Sequence, residues 1–459
     1  MDALLQLDHY NFSWIIEIIL NSSSHIKFIL TITLIISFIS LTRKRTHIYL
    51  IDFACFQPPA FHRISIGAFI EHSFLRGKHT KTSDTHEFEK KVTLRSGMGN
   101  ETYAPVGMDF IPSEGCLKRA TDEGQLVLFT IVENLLTKHK INPKNIDILV
   151  TNCGINCPIP SVASVVINRF GLRSNVRSYH LSGMGCSAGI LAISLAKDLL
   201  NVHKNCLALV LSSEIICSNV YHGKQKSMLL ANCLFRMGGA GVLLSNRKVD
   251  RNAAKYELQH IVRTHLGAQD DAYGCVYQKA DEEGNEGISL SRSIVHVAGK
   301  ALESNLTTLG PLVLPYSEQF RFGIHFLKNK LTKIKLSPFV PKFKKAFDHF
   351  CIHAGGKAVI ESIKKSLSLS DRDVEASKMT LYRYGNTSSS STWYSLCYLE
   401  AKGRIKKGDK VFQLCFGSGF KCNSAVWKCI SKNVSKDVSN AWSDRINRYP
   451  VDVPEVIEH

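Results

Sequence analysis

Three short stretches carry residue types that could do covalent chemistry together. The first is Gly183-Met184-Gly185-Cys186-Ser187-Ala188-Gly189, where small residues clear space around one cysteine as an apolar helical pattern begins. A thiol at a helix N-terminus faces the positive end of the helix dipole, which favours thiolate and makes the sulfur a nucleophile. The second is Cys351-Ile352-His353-Ala354-Gly355-Gly356-Lys357, a histidine in a turn-like setting. The third is Arg383-Tyr384-Gly385-Asn386-Thr387, which runs into the serines Ser388 to Ser391. Cysteine, imidazole and amide together suit acyl transfer: the thiolate attacks a thioester, and the other two donate hydrogen bonds to developing oxyanions. Each stretch also has a structural reading: an inert buried cysteine in a tight turn, a core histidine, and an asparagine capping a helix. The glycines do not match the GxGxxG dinucleotide fingerprint, because an extra residue precedes Gly189. No metal is expected: Cys153 and Cys157 lack companion ligands, and Cys415, Cys422 and Cys429 are too widely spaced for a zinc knuckle.

The elements that must hold these groups read as strand, turn and helix. Asn145–Asn152 (NIDILVTN) and Cys206–Ser212 (CLALVLS) are short apolar runs between polar boundaries, the pattern of buried strands. Between them, Ser187–Leu200 has apolar residues at helical spacing. That order is the grammar of an α/β protein. Later, Lys410–Phe416 (KVFQLCF) runs into Gly417-Ser418-Gly419, a second glycine turn where a sheet edge could present functional groups.

Composition bounds the rest. The 459 residues hold 57 Lys plus Arg against 39 Asp plus Glu, a net charge of +18, with 44% apolar and 21% charged residues. Those fractions exclude disordered, collagen-like and coiled-coil classes. The 14 cysteines are scattered, which fits a reducing compartment better than a disulfide scaffold. Phe28–Leu41 (FILTITLIISFISL) is apolar or hydroxylated throughout and is followed by Arg43-Lys44-Arg45. Such a run reaches only about 21 Å, but Ser22–Ile26 extends it, with Lys27 snorkelling toward the headgroups. It reads as a membrane anchor with the basic triplet cytosolic; a buried core helix is the alternative. From Arg321 to Phe347 there are eight basic residues, no acid and five phenylalanines. That mixture suits a membrane interface or a solvated linker with inward-packed aromatics, and less well a nucleic acid.

Beyond these local readings, the chain resembles the plant 3-ketoacyl-CoA synthase family, the membrane-bound condensing enzymes of fatty-acid elongation. The resemblance runs from Ile48-Tyr49-Leu50-Ile51-Asp52-Phe53-Ala54-Cys55 to Tyr449-Pro450-Val451 and includes Ser96–Pro105 (SGMGNETYAP), Ser182–Gly189 (SGMGCSAG), Asn232–Asn246, Asn305–Pro315, Cys351–Glu361 and Tyr384–Tyr394. It implies an α/β, thiolase-like duplicated αβαβα sandwich preceded by an N-terminal membrane anchor. The implied divisions are an anchor region 1–48, a half 49–336 with the nucleophile, and a half 337–459 with the histidine and asparagine. It implies a very-long-chain 3-oxoacyl-CoA synthase, an acyltransferase that condenses malonyl-CoA with a long-chain acyl-CoA. Cys186, His353 and Asn386 would be catalytic, with Gly417, Ser418 and Gly419 as an oxyanion loop and His265 and His349 as further candidates. No cofactor is implied. The implied partners are the two CoA thioesters, membrane lipid, a second copy of the chain, and the ketoacyl-CoA reductase, dehydratase and enoyl-CoA reductase of elongation. Nucleic acid is not among them, and the implied location is the endoplasmic reticulum membrane with the catalytic domain in the cytosol. A type III polyketide synthase-like enzyme and a catalytically silent scaffold subunit are the competing readings. Asn152–Pro158 and Gly223–Lys226 depart from the family pattern, which bears on chain-length preference more than on chemistry.

Overall fold

Strands that read as unbroken apolar runs must be covered on both faces, and the central strands here are. In the computed structural model, which describes residues 31–33, 46–76, 82–105, 117–155, 157–331, 340–434 and 440–453, nine strands form one mixed sheet. In chain order they are β1 (Tyr49–Cys55), β2 (Ile148–Asn152), β3 (Arg177–Leu181), β4 (Leu207–Glu214), β5 (Gly238–Ser245), β6 (Tyr256–His265), β7 (His349–Ile352), β8 (Lys410–Gly417) and β9 (Lys421–Cys429). Every residue of β2, β4 and β5 is buried. β3, at the sheet's edge, is half exposed.

The spatial order is β7-β8-β9-β6-β1-β5-β4-β2-β3, and it contains a duplication. β1 pairs antiparallel with β5, β5 antiparallel with β4, and β4 parallel with β2. β6 repeats this with β9, β8 and β7: antiparallel, antiparallel, parallel. The two half-sheets join where Ile48, Tyr49 and Leu50 meet Tyr256, Glu257 and Leu258. α1 (Leu117–His139) packs on the first half and α3 (Ile294–Val313), which α4 (Tyr316–Leu331) follows in the chain, on the second. α2 (Ala188–Val202) and α5 (Ser391–Ala401) touch both half-sheets and form the layer between them. The sequence is thus an αβαβα sandwich whose halves are not alike enough for the repeat to be read from residues. The expected boundary at 336/337 lies outside the described residues, and the second half-sheet already draws its first strand from Tyr256–His265.

The sandwich's seam is held by charge as well as by apolar burial. Lys255, just before β6, donates to Asp52 Oδ1 on β1 at 2.8 Å and to Glu400 Oε2 on α5 at 3.0 Å. Asp52 also takes Lys138 at 2.7 Å and His139 at 2.8 Å. Burial alone would raise the Asp52 carboxyl, yet His139, Lys255 and Lys138 hold it well below the usual range. Around this cluster, Phe53, Trp393 and Trp427 pack ring to ring at 5.4 and 5.9 Å.

The expected anchor lies, apart from Thr31-Ile32-Thr33, outside the described residues and belongs to a separate unit, residues 1–47. Among the described residues one helical stretch, Gly185–Val202, is long and apolar enough to cross a membrane. It is the core helix α2, with Ala188, Ile190, Ile193, Ala196 and Leu200 buried in the sandwich.

Candidate functional site

The peptide leaving β3 must turn sharply to start α2, and two glycines allow it. Gly183 and Gly185 have φ of +67° and +59°, the left-handed region that side chains disfavour. A Cβ on Gly185 would also lie 2.6 Å from the backbone nitrogen of Ser418, so the first glycine turn packs against the second. The Ser418 hydroxyl donates to Gly183 O at 3.2 Å and clasps the two turns together. Gly189 is small for a similar reason: a Cβ there would meet Ser389 O at 2.3 Å.

Cys186 sits in the single 3-10 turn Gly185–Ser187, ahead of the α-helix proper. Here, where Cys186 is half-buried, burial works against the dipole's preference for thiolate. Burial pushes the thiol up, to about 12, and the nearby Glu214 carboxylate adds to the rise, while a hydrogen bond with Ser388 opposes it. Loss of water around the sulfur outweighs whatever the helix dipole supplies. The nucleophile therefore needs a base to take its proton.

The histidine that shares its cavity is His353. His353 follows β7, its N–H bonded to Leu414 O at 2.8 Å and its Nδ1 hydrogen-bonded with Ser391 Oγ at 2.6 Å. Burial lowers the imidazole to about 4, so at neutral pH it is uncharged and can accept a proton. Asn386 is fixed on both sides. Its Oδ1 accepts the Ser388 N–H at 2.9 Å, and its Nδ2 points toward Gly355 O at a long 3.5 Å. The local turn expected of an asparagine before hydroxyl residues does form, and it aims the amide instead of capping α5.

Cys186, His353 and Asn386 line one cavity of about 510 Å³, together with Gly417, Ser418 and Gly419. The rest of its wall is mostly apolar, with Leu234, Phe235, Val276, Ile288, Phe416 and Phe420 among the residues. His265 also lines it; burial and Lys421 lower its imidazole, and its Nδ1 accepts the Gly267 N–H at 3.1 Å. His349 does not reach the site. It starts the strand that His353 follows, about 13 Å away along an extended chain, and pairs with Asp409 at 2.9 Å.

Two residues at the cavity were not picked out from the sequence. Glu214 ends β4, buried, and its two oxygens collect four donors: Ile155 N–H at 2.9 Å, Gly154 N–H at 3.2 Å, Ser388 O–H at 2.8 Å and Cys153 S–H at 3.4 Å. Ser388, with φ of +53°, stands between Glu214 and the Cys186 sulfur while its N–H holds Asn386. A carboxylate closing an otherwise apolar strand (LALVLSSE) was the available signal. Among the described residues no group of three metal-ligating side chains gathers.

Known proteins resemble the chain over most of its length. The family model described as FAE1/Type III polyketide synthase-like protein matches residues 39–331, and the C-terminal model of 3-oxoacyl-[acyl-carrier-protein] synthase III matches residues 344–429. The chain is similar to 3-ketoacyl-CoA synthase 7 of Arabidopsis thaliana, 55% identical over 89% of this chain and 88% of that protein. It is 47% identical to 3-ketoacyl-CoA synthase 17 of the same plant over 98% and 91% of the two chains. Among solved structures, 1,3,6,8-tetrahydroxynaphthalene synthase, a bacterial type III polyketide synthase from Streptomyces coelicolor, superposes with a TM-score of 0.67 at 16% identity, covering 83% of this chain and 99% of that one. CsyB in complex with CoA-SH gives 0.65 at 19% identity over 83% and 100%. At such identities the likeness speaks for the fold alone: a thiolase-like α/β sandwich.

Proposed function

The chain belongs to the plant 3-ketoacyl-CoA synthase family, and from that premise we propose that it condenses malonyl-CoA with a long-chain acyl-CoA at Cys186, giving a 3-oxoacyl-CoA two carbons longer, CO2 and CoA. The observation that carries the reading is the single cavity in which Cys186, His353 and Asn386 meet under a largely apolar wall.

His353 takes the Cys186 proton as the sulfur attacks the acyl-CoA carbonyl; the C–S bond to CoA breaks and CoA leaves as the thiol, carrying that proton. The imidazole is neutral again when malonyl-CoA enters. His353, with its ring proton now on Nε2 and Nδ1 accepting from the Ser391 hydroxyl, and the Asn386 amide then hold its thioester oxygen. Breaking the bond to the carboxylate releases CO2 and leaves an enolate, whose charge falls on that oxygen, where preorganised donors act most strongly. The enolate carbon attacks the acyl–Cys186 carbonyl, and the tetrahedral oxyanion is met by the backbone N–H of Cys186 and by the Ser418 end of the glycine turn. Collapse breaks the C–S bond and releases the Cys186 thiolate, which takes up one proton from solvent to return to the thiol. A buried, apolar wall suits both a long acyl chain and the exclusion of water from the enolate. His265 lines the same cavity and is a candidate to face the CoA arm.

Three further parts belong to the proposal. The run Phe28–Leu41 anchors the enzyme in the endoplasmic reticulum membrane, with the catalytic sandwich in the cytosol. The half-exposed edge strand β3, which leads directly into the Cys186 turn, supports a homodimer formed by pairing with its own copy. The reductase, dehydratase and enoyl reductase that complete elongation would take up the product. Membranes from cells expressing the chain test the chemistry, incubated with labelled malonyl-CoA and acyl-CoAs of graded length. Chain-extended products that vanish in Cys186→Ala support it; well-folded wild type without products overturns it.

A further inference from the structure

The first part of the basic stretch, Arg321–Leu331, ends one helix, Tyr316–Leu331, whose exposed side carries an apolar stripe. Tyr316, Phe320, Ile324 and Leu327 are 89, 71, 39 and 56% exposed. At 100° per residue they fall within about 80° of one another, a narrow stripe along a helix about 24 Å long. Arg321 and Lys328 stand together on its shoulder, both exposed. Between Ser304 and Phe347 the sequence has one acid, Glu318. It is turned inward and fully buried, where it accepts Lys345 at 2.7 Å, the Lys342 N–H at 3.2 Å and Arg321 at 3.5 Å. The outer face of the helix therefore offers aromatic and aliphatic side chains edged by positive charge, with its own acid withdrawn.

We propose that the helix Tyr316–Leu331 lies flat on an anionic lipid surface, its stripe among the acyl chains and its cations at the headgroups. A mixed aromatic–aliphatic stripe with a cationic shoulder is the physical form of an interfacial helix, and the occupant it complements is negatively charged lipid. An ordinary monomer surface does not array four large apolar side chains in register. The docking rests on the proposed membrane association, since a bilayer must be within reach. It adds a second contact, some 280 residues along the chain from the anchor. It also moves the charge that matters along the chain: Lys344 and Lys345 pair with Asp373 and Glu318, and Arg321, within 3.5 Å of Glu318, and Lys328 are exposed on the helix itself.

The full chain tests this, with a fluorescent noncanonical amino acid at position 320 or, as control, at Val249, which is 81% exposed on another surface. Each protein is reconstituted into phosphatidylcholine vesicles, with or without phosphatidylserine, carrying nitroxide-labelled lipid. With phosphatidylserine, quenching at 320 is expected to exceed that at 249 by about threefold or more, as for a side chain buried below the headgroups. Arg321→Gln with Lys328→Gln should lower the docking constant about 25-fold, near fivefold per charge. If the chain floats with the vesicles but 320 stays as bright as 249, the docking is refuted and the anchor stands. If the chain does not float, membrane association itself fails and the docking with it. Quenching at 320 that is equal in neutral vesicles, or protection of 320 by self-association without lipid, assigns the face elsewhere and overturns the proposal.

Discussion

Replacing Glu214 with glutamine exchanges one oxygen for an NH2 group in a carboxylate that holds four hydrogen bonds, two on each oxygen. Oε1 accepts Ile155 N–H and Cys153 S–H, and Oε2 accepts Ser388 O–H and Gly154 N–H. An amide keeps one oxygen, so two donors must face an NH2 group whichever way it is turned. The Ser388 hydroxyl can rotate to accept, which leaves the Gly154 N–H as the orphan, and one unsatisfied buried donor costs about 1–3 kcal/mol. Glu214→Gln should therefore fold and lose about that much stability, read from urea midpoints. The linkage has a definite sign. Burial raises the Glu214 carboxyl, so its ionisation weakens the fold as pH rises through that raised value, and the margin of wild type over Glu214→Gln should narrow from acid to neutral pH. Catalysis should fall as well, because Ser388 positions both Asn386 and the Cys186 sulfur. A shift of a fraction of an ångström there should cut kcat about tenfold, with KM for malonyl-CoA little changed. Steady-state rates across a pH series, with urea titrations in parallel, measure both. A variant with wild-type kcat, or one whose stability margin does not vary with pH, would show that Glu214 neither positions the site nor carries the burial cost argued here.

Other expectations follow from the same geometry. His353 titrates at about 4 against 6.5 in an unfolded chain, so its contribution to stability is complete above about pH 6.5 and is lost as pH falls toward 4. Between pH 7 and 5 wild type should lose about 2 kcal/mol more than His353→Gln; equal losses in urea titrations would count against a buried neutral imidazole. Gly185→Ala should lower activity about 100-fold by forcing the Cys186 turn off Ser418. Gly171→Ala, at φ +61° with nothing within 4 Å, should cost only about 1 kcal/mol and leave the rate alone. Lys255→Met leaves Asp52 and Glu400 facing one another without their shared cation and should destabilise by about 3–5 kcal/mol; thermal unfolding within a degree or two of wild type would contradict that.

Much of the site was legible because its chemistry demands rare local patterns. Glycines flank Cys186 since two backbones meet there, and only a residue without Cβ permits it. His353 and Asn386 stand in turns whose small residues could be read directly. Glu214 escaped notice because its role depends on donors 60 and 174 positions away in the sequence. His349 was a false candidate for the opposite reason: it shares a strand with the approach to His353, but strand geometry carries it to the far end. The strand over 207–214 was read close to its limits and that over 148–152 three residues too early, at a 3-10 turn, whereas the duplication appears only in the pairing order. The dipole argument for Cys186 takes no account of dehydration, which pushes the thiol the other way.

The central claim is that Cys186 carries the growing acyl chain while His353 and Asn386 prepare the malonyl carbon. The most direct test is mass spectrometry of peptides from enzyme loaded with a long-chain acyl-CoA, before and after malonyl-CoA is added. The account requires an acyl thioester on the Cys186 peptide that persists alone and disappears with malonyl-CoA as a 3-oxoacyl-CoA two carbons longer is released. In Asn386→Ala the thioester should form and persist through the chase. An acyl group found on another cysteine, such as the exposed Cys157, or a Cys186 thioester that malonyl-CoA leaves untouched in wild type, would contradict it.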